Sequence, residues 1–372
     1  MIVITTQCFA PKIGGIESLM TGMAEAMAKN GEEVLVLADG EESKDDQNQY
    51  YKIKRFSGWK PLRRLRKANY LERICKNKTV SAIYADSWKS VEYINKKKQK
   101  KILVLAHGTE IPKQYWTKML DLLRFKKNRI KNSYREVFKI IANSSYTKDL
   151  MQASLKINPS DIQIIHPGID VYNDFISEED RRNVTKIIAD SSPVITTLAR
   201  VEERKGHKYI LNALNEIKNK FPKIVYLIAG KGPYLEEIKK FTRKLELDNN
   251  VKFLGWITEP EKSLILKNSD LFVMTPTEVG ESVEGFGMAY IDASFHGVAS
   301  IGSNSGGIAD AIVDNETGIV CDAGNQKMIT EKILLLLENQ KLRNQLGENG
   351  RKRAIENYSW IKKVKEYLLA AN

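Results

Sequence analysis

The sequence predicts an α/β chain of two doubly wound, Rossmann-like domains, each built on a parallel sheet. Short apolar, β-branched runs alternate with amphipathic segments, and this alternation occurs twice along the chain. Glycine-rich polar stretches follow many of the runs, as expected of loops at the carboxyl ends of parallel strands. A chain of 372 residues is also long for a single hydrophobic core. We therefore expect two domains that face each other across a deep cleft.

The N-terminal domain is predicted over residues 1–168. Its strands are predicted from continuous apolar runs, which are typical of strands buried on both faces of a parallel sheet. These runs are Ile2–Thr5, Val34–Leu37, Ala82–Tyr84, Ile102–Ala106, Lys139–Ala142 and Ile162–Ile165. The amphipathic segment Ile16–Lys29 predicts a helix that covers this sheet.

The C-terminal domain is predicted over residues 169–359, beyond a turn at residues 166–170. A second series of apolar runs indicates its strands: Val194–Leu198, Val225–Ala229, Val251–Leu254, Leu271–Met274, Ala299–Gly302 and Gly318–Val320. Tyr209–Lys218 and Tyr234–Leu245 have the spacing of amphipathic helices. An acidic segment at residues 177–182 is expected to be a linker or an entry helix.

The composition indicates a soluble, globular protein, with 42% hydrophobic and 28% charged residues. No apolar run approaches the roughly 20 residues that a membrane-spanning helix needs. The first residues have the pattern of a strand rather than of a signal peptide. The three cysteines have no paired spacing for a disulfide or a metal site. We therefore expect a cytoplasmic location.

The net charge of +13 lies entirely in the first half of the chain. Residues 1–170 carry 31 Lys+Arg and 18 Asp+Glu, whereas the two signs balance in the remaining residues. The basic residues concentrate in residues 52–67, 96–101 and 124–135. Such a block attracts nucleic acid, phosphorylated small molecules or anionic lipid headgroups.

The segment Glu284–Asp292 is the most informative motif. It follows an apolar strand and a polar loop, and it places a carboxylate and two glycines before a helical pattern. A helix N-terminus offers free N–H groups to phosphate, and a carboxylate accepts hydrogen bonds from sugar hydroxyls. Asp292 lies eight positions after Glu284, a spacing that would return it to nearly the same helix face.

Two cations follow the first strand of the C-terminal domain. Arg200 and Lys205 can approach one ligand from different directions and neutralise charge on a leaving diphosphate without a metal. The alternative is a solvated pair on the rim of a loop. Because the chain has no Asp-x-Asp, we do not expect a Mg²⁺-bridged nucleotide or another metal site.

Two loops of the N-terminal domain have compatible chemistry. Gly14 and Gly15 open a helix and can hold an anion through backbone N–H groups, although a tight strand–helix turn would use the same residues. His107 follows a strand directly and precedes a glycine, so it either points into the cleft or is a structural histidine.

Six motifs occur in the order found in the GT-B glycosyltransferases of family 4, which the sequence resembles over nearly its whole length. The motifs are Gly14-Gly15-Ile16-Glu17, His107-Gly108-Thr109-Glu110, Arg200 with Lys205-Gly206, Gly230-Lys231-Gly232-Pro233, Glu284-Gly285-Phe286-Gly287 and Ser305-Gly306-Gly307. The resemblance implies a retaining enzyme that moves a hexose from GDP-mannose or a UDP-hexose to a glycan or lipid-linked acceptor. It implies no cofactor, since the nucleotide-diphosphate sugar is a co-substrate. A C-terminal helix, residues 360–372, would pack back on the N-terminal domain.

The resemblance also implies roles for individual residues. Donor binding would fall to Gly14, Gly15, Arg200, Lys205, Lys231, Gly232, Glu284, Gly285, Phe286, Gly287, Met288 and Asp292. The catalytic residues would be His107 beside the anomeric carbon, Arg200 and Lys205 on the leaving diphosphate, and Glu284 on the sugar hydroxyls. Asp292 stands where the family usually has glutamate, which shortens the reach to the ribose. The implied mechanism is front-face displacement, in which the leaving phosphate deprotonates the acceptor.

A basic amphipathic pattern at residues 62–74 indicates how the N-terminal domain would meet its acceptor. The predicted surface comprises Trp59, Arg63, Arg64, Arg66 and Lys67. A helix of this kind can lie on an anionic bilayer, although an ordinary helix with a solvated basic face has the same pattern. We expect a peripheral protein at the inner face of the cell membrane, in surface polysaccharide, lipopolysaccharide or glycolipid synthesis.

Two other functions are compatible with parts of the sequence. A basic nucleic-acid-binding protein would use the charge excess, but aromatic residues are not interleaved with the cations and the glycine-rich loops stay unexplained. Nucleic acid is therefore not an expected partner. A nucleotide-sugar epimerase or a phosphorylase of the same fold would use the same loops. Release of nucleoside diphosphate only when an acceptor is present would argue against the epimerase and the phosphorylase.

Overall fold

The computed structural model describes residues 1–47, 50–96, 101–111, 120–169, 176–280 and 282–372. The chain divides into two compact units. The N-terminal unit contains Met1–Asp170 and Tyr358–Asn372, and the C-terminal unit contains Val171–Asn357. Each unit is built on a parallel sheet with helices, so the predicted fold class is confirmed.

The N-terminal unit contains a seven-stranded parallel sheet within its described residues. Its strands are β1 (Ile2–Thr6), β2 (Val34–Asp39), β3 (Lys52–Phe56), β4 (Ala82–Ala85), β5 (Ile102–Ala106), β6 (Lys139–Ala142) and β7 (Ile162–Ile164). Their order across the sheet is β3-β2-β1-β4-β5-β6-β7. The helices are α1 (Gly15–Lys29), α2 (Lys60–Asn77), α3 (Trp88–Val91), α4 (Leu120–Tyr134) and α5 (Ser145–Leu150).

Both faces of this sheet are covered, because successive residues of β1 enter different cores. Ile4 packs in a cluster with Met23 of α1, whereas Val3 packs in a cluster with Leu71 of α2. Side chains alternate between the faces of a strand, so every strand between two helix layers must be apolar at consecutive positions. This requirement explains why the continuous apolar runs predicted the strands well.

The strand that the sequence analysis missed is β3. It lies at the edge of the sheet, and three of its five residues are basic, so Ile53 and Phe56 do not form an apolar run. Arg55 is buried: its guanidinium donates to Asp46 at 2.6 and 2.7 Å and to the Ala10 carbonyl at 2.6 Å. The hydrogen bond from Arg55 holds the pKa of Asp46 below its ordinary value.

The C-terminal unit contains a six-stranded parallel sheet within its described residues. Its strands are β8 (Val194–Leu198), β9 (Val225–Ala229), β10 (Val251–Gly255), β11 (Leu271–Val273), β12 (Ala299–Ser303) and β13 (Gly318–Cys321), in the order β10-β9-β8-β11-β12-β13. The helices are α6 (Glu178–Ile188), α7 (His207–Ile217), α8 (Leu235–Lys244), α9 (Glu259–Lys267), α10 (Met288–Phe295), α11 (Ile308–Ala311), α12 (Gln326–Glu338) and α13 (Gln340–Tyr358). The acidic segment after the boundary begins α6, which starts with a capping box at Ser177.

The last helix, α14 (Trp360–Ala370), belongs to the N-terminal unit and packs against α1. Trp360 fits where two glycines leave room, since a Cβ atom at Gly22 or Gly168 would lie within 2.5 Å of the indole ring. The Tyr84 hydroxyl of β4 donates to the Tyr367 carbonyl at 2.6 Å. The end of the chain therefore completes the core of the first sheet.

Candidate functional site

An ionic cluster lies at the carboxyl edge of the C-terminal sheet. β8 and β11 are neighbours in a parallel sheet, so the loops that follow them start at the same edge. Lys205 from the first loop and Glu284 from the second meet there, with the Lys205 Nζ to Glu284 Oε2 distance at 2.6 Å. Both side chains are largely buried, at 9% and 15% exposed. Two predicted site residues separated by 79 positions are thus brought into contact.

Arg200 joins the cluster through an intermediate carboxylate. Its Nη1 lies 2.9 Å from Glu202 Oε1, and the other oxygen of Glu202 accepts from Arg204 Nε at 3.0 Å. Arg204 Nη1 then donates to Glu284 Oε2 at 3.0 Å. Arg200 is 63% exposed, so its guanidinium is accessible to a ligand. Three cations and two carboxylates leave the cluster with an excess positive charge that suits an anion.

Close backbone approaches fix the loops around this cluster. Gly206, in the left-handed region at φ +82°, lies so near Thr275 that a Cβ atom would be 2.2 Å from the Thr275 carbonyl oxygen. Gly306 has a φ of +63°, and a Cβ atom there would lie 2.1 Å from the Glu284 carbonyl oxygen. The Gly307 N–H also donates to that oxygen at 2.9 Å. Only glycine combines these backbone angles with such short approaches.

The Lys231–Gly232 loop after β9 packs on the loop that carries Arg200. A Cβ atom at Gly232 would lie 2.2 Å from the Val201 carbonyl oxygen, and the Val201 N–H donates to the Lys231 carbonyl at 3.1 Å. The Lys231 side chain is exposed at this edge. Its predicted contact with the donor stays a prediction.

The helix after Glu284 starts later than the spacing argument assumed. α10 begins at Met288 with Gly287 as its N-cap, so Glu284 precedes the helix and the eight-residue spacing does not place it on the same helix face as Asp292. That part of the prediction is wrong. Gly285 and Phe286 are buried in the loop between them, and the first amides of α10 lack partners within the helix. Asp292 pairs with Lys262 of α9 at 3.3 Å.

In the N-terminal unit, Asp86 connects the carboxyl ends of three strands. Its carboxylate follows β4 and accepts from Thr6 Oγ1 at 3.0 Å and from the Gln7 N–H at 2.8 Å, both at the end of β1. Its backbone carbonyl contacts His107 Nε2, after β5, at 2.8 Å. The loop that leads to Gly14 and Gly15 is therefore anchored beside His107.

His107 is 7% exposed and its Nε2 is committed to the Asp86 carbonyl. A carbonyl oxygen only accepts, so Nε2 carries the proton of the neutral ring and Nδ1 is the nitrogen able to accept. The Glu110 carboxylate accepts a hydrogen bond from the backbone N–H of His107 at 2.7 Å. Gly14 is the N-cap of α1, and a Cβ atom there would lie 2.3 Å from Glu17 Oε2, whereas one at Gly15 would meet nothing within 4 Å. The start of this helix is therefore open at Gly15 and occupied by the Glu17 carboxylate at Gly14.

The predicted basic surface on α2 is partly wrong. Lys67 is buried, at 2% exposed, and its Nζ donates to Asp39 at 2.9 Å and to the Thr6 carbonyl at 2.7 Å. Burial lowers the pKa of Lys67, and Asp39 opposes that effect. The lysine faces the sheet because the buried Asp39 carboxylate, at the end of β2, attracts its positive charge.

Two other cations of this helix are also paired with carboxylates. Arg63 Nη2 lies 2.8 Å from Asp39 Oδ2, and Arg64 Nη1 lies 3.2 Å from Glu92 Oε2. The exposed members of the predicted surface are Trp59, at 70%, and Arg66. Within the described residues, no helix combines the length and apolar character needed to cross a bilayer.

A buried histidine lies beneath the cationic loop. His207 follows Gly206, and its Nδ1 lies 2.8 Å from the Tyr226 hydroxyl, which lies 2.8 Å from Thr197 Oγ1. Burial first, and then the charge of Lys205, lowers the pKa of His207 to about 3. The folded protein therefore holds this ring neutral at pH values where the unfolded chain would protonate it.

We expect acid to destabilise the C-terminal unit through His207. Above the unfolded pKa of about 6.5, both states hold the ring neutral, and His207 does not lower the free energy of unfolding. As pH falls from there towards the folded pKa, the free energy of unfolding decreases by roughly 1 kcal/mol per pH unit. Urea unfolding at pH 7, 6 and 5 measures this, and His207→Phe should flatten the dependence. An equal slope in the variant would contradict this origin.

Two family models match the chain, one over each unit. The model for "Glycosyltransferase Family 4" matches residues 13–172, and the model for "Glycosyl transferases group 1" matches residues 178–353. The chain belongs to the family 4 glycosyltransferases. The second match contains the whole ionic cluster around Glu284, and the first contains Asp86 and His107.

The curated relatives of this family 4 glycosyltransferase include mannosyltransferases. It is 28% identical over 265 residues to the GDP-mannose-dependent α-(1-6)-phosphatidylinositol monomannoside mannosyltransferase of Mycolicibacterium smegmatis, a match that spans 70% of this chain and 67% of that protein. A GDP-mannose-dependent monoacylated α-(1-6)-phosphatidylinositol monomannoside mannosyltransferase of Corynebacterium glutamicum is 23% identical, over 96% of this chain and 94% of its own.

Solved structures share the fold over essentially the whole chain. HepE of Anabaena, solved with UDP and glucose, superposes with a TM-score of 0.80 at 17% identity, covering 99% of this chain and 98% of HepE. WaaG, a glycosyltransferase involved in lipopolysaccharide biosynthesis, gives 0.71 at 16% identity and covers 99% of both chains. These similarities support the two-domain GT-B fold.

Sequence reasoning missed two residues of the ionic cluster in the C-terminal unit of this glycosyltransferase and one of the network in its N-terminal unit. Arg204 and Glu202 lie in a loop rich in charges, where nothing in the sequence sets them apart from their neighbours. Asp86 follows β4 directly, so its place after a strand was the signal that could have found it.

Proposed function

We propose that the chain transfers a hexose from a nucleotide-diphosphate sugar to a hydroxyl of a glycan or lipid-linked acceptor, with retention at the anomeric carbon. The Lys205–Glu284 contact, with Arg200 and Arg204 close by, carries this proposal. The cluster joins cations for a diphosphate to a carboxylate for sugar hydroxyls, which is the pair of recognition elements that a nucleotide sugar needs.

Lys205 and Arg200 bind the diphosphate and stabilise its charge as the bond between the anomeric carbon and the phosphate oxygen breaks. Glu284 accepts hydrogen bonds from the sugar hydroxyls. The new bond to the acceptor oxygen forms on the face that the phosphate leaves, and the acceptor proton passes to a phosphate oxygen. No metal is needed for these steps, because the cations meet the developing negative charge directly.

GDP-mannose is the first donor to test, since the mannosyltransferase relatives use it, and UDP-hexoses come next because HepE was solved with UDP and glucose. Thermal unfolding with GDP, UDP and ADP in EDTA identifies the nucleotide. A ligand at 100 times its Kd stabilises by about 2.7 kcal/mol. A shift with one nucleotide supports the donor site, and no shift with any of them would contradict it.

The acceptor is proposed to lie at an anionic membrane that the start of α2 contacts from the cytoplasm. Trp59, Leu62 and Leu65 are 70%, 54% and 42% exposed, and Arg66 is exposed beside them. Apolar side chains next to cations are the pattern that binds anionic bilayer surfaces. The relatives that act on phosphatidylinositol mannosides make such a location reasonable for the acceptor.

The double variant Trp59→Ser, Leu62→Ser is expected to bind phosphatidylglycerol vesicles at least about tenfold more weakly, because two exposed apolar side chains no longer enter the bilayer. Vesicle co-sedimentation measures the partitioning. Trp256→Ser, which removes a tryptophan 46% exposed on the C-terminal unit, is the matched control. Equal binding by wild type and the double variant would rule out this surface.

A further inference from the structure

The two cations that contact Glu284 are held in different ways. The Arg204 guanidinium is fixed at both ends, with Nε on Glu202 at 3.0 Å and Nη1 on Glu284 at 3.0 Å. Its backbone carbonyl also accepts from the Thr277 N–H at 2.8 Å. Arg204 is therefore anchored on both loops of the site.

Lys205 has a looser set of contacts. Within the described residues, its Nζ bonds to Glu284 Oε2 at 2.6 Å and to Met274 Sδ at 3.7 Å. A thioether is a weak acceptor, whereas a phosphate oxygen forms a strong charge-assisted hydrogen bond. An ammonium with one strong partner is able to turn towards a diphosphate, and Glu284 then loses its nearest positive charge.

Glu284 needs a second cationic partner to stay ionised when Lys205 turns away. Its side chain is 15% exposed, so water replaces little of the missing interaction. A largely buried carboxylate without a cation takes up a proton. The protonated acid has one oxygen that donates, so it no longer accepts from sugar hydroxyls with both oxygens.

We propose that Arg204 is a positioning residue that keeps Glu284 ionised and oriented for the donor sugar while Lys205 binds the diphosphate. This role rests on the proposed function. Glu202 supports it by holding Arg204 Nε, so the guanidinium stays against Glu284 when Lys205 moves. Arg204 is the permanent partner of the carboxylate, and Lys205 is the exchangeable one.

Among the residues that the structure describes, Lys205 and Arg204 on the loop after β8 face Glu284 with their charges. Tyr290 of α10 lies near the carboxylate, with its hydroxyl on the Met274 carbonyl. Burial raises the pKa of Glu284, and the charges of Lys205 and Arg204 outweigh it, so the pKa lies below its ordinary value. Removing Arg204 must therefore raise the pKa of Glu284, most of all when Lys205 is engaged.

The test is the pH dependence of kcat at saturating donor for wild type, Arg204→Gln and Arg204→Lys. We expect the acid limb of Arg204→Gln to move up by about one pH unit or more. Arg204→Lys, which keeps the charge, should retain the wild-type limb. A wild-type acid limb in Arg204→Gln would overturn the proposal, since a purely structural role would lower kcat at every pH alike.

Glu202→Gln is the second variant, and it decides the matter if Arg204→Gln does not fold. It keeps the charge on Arg204 but weakens the anchor at Nε. A weaker anchor lets the guanidinium leave Glu284 when Lys205 turns away, so we expect the acid limb of kcat to move up, by less than in Arg204→Gln. An acid limb at the wild-type position would overturn the proposal, whatever the value of kcat. Failure of the proposed function is separate, because wild type itself would then show neither nucleotide binding nor turnover.

Discussion

Lys205→Ala is expected to lower kcat for sugar transfer by about 100-fold, the typical cost of removing one preorganised donor from a site where charge develops. The KM for the donor should rise less, because in the proposed site Arg200 still binds the diphosphate. The variant should fold, since Glu284 keeps Arg204 as a partner at 3.0 Å. Steady-state kinetics with the nucleotide sugar that wild type uses, together with thermal unfolding, measures both effects.

Lys208→Ala is the matched control for that variant. Lys208 lies three positions further on, in the first turn of α7, and pairs with Glu237 at 3.1 Å at the protein surface. Its removal takes away one positive charge near the site without touching the cluster, so wild-type kinetics are expected. Equal losses in both variants would mean that general charge, and not the position of Lys205, matters.

Gly306→Ala is expected to destabilise the C-terminal unit by about 2–4 kcal/mol and to lower kcat more than tenfold. The new Cβ atom would lie 2.1 Å from the Glu284 carbonyl oxygen and 2.6 Å from Val283 Cγ2. The loop that carries Glu284 must then shift, and the bond from the Gly307 N–H is lost. Urea unfolding and kcat measure the two effects.

Gly280→Ala separates the backbone strain from the collision. Gly280 has a similar φ of +60°, but a Cβ atom there would meet nothing within 4 Å. Its alanine variant should lose about 1 kcal/mol of stability and keep most of its activity. A comparable loss of kcat in both variants would show that the approach of Gly306 to Glu284 is unimportant.

The strands of both sheets were predictable because burial on both faces leaves continuous apolar runs. β5, β6, β8 and β9 have the predicted bounds, whereas β3 was missed because this edge strand is mostly basic and has no apolar run. The misreading of Lys67 has a related cause. A helical cation pattern does not reveal that Asp39, at a strand end 28 positions earlier, draws the lysine into the protein.

The site was predictable only as a set of loops at one edge of a sheet. Strand order brings Lys205 and Glu284 together, and that order is not visible in local sequence. The family resemblance supplied their roles, which stay predictions. Arg204 escaped notice because only the geometry distinguishes its anchored guanidinium from the exposed one of Arg200.

The most direct test of the central claim follows a radiolabelled hexose from its nucleotide sugar into lipid. The purified protein is incubated with GDP-[¹⁴C]mannose or a UDP-[¹⁴C]hexose and membrane lipid extract, in EDTA, and label in the organic phase is counted beside the nucleoside diphosphate released. We predict equal amounts of both, dependent on the acceptor and about 100-fold slower in Lys205→Ala. Release of nucleoside diphosphate without transfer of the sugar would contradict the account. Transfer by Lys205→Ala at the wild-type rate would contradict it as well.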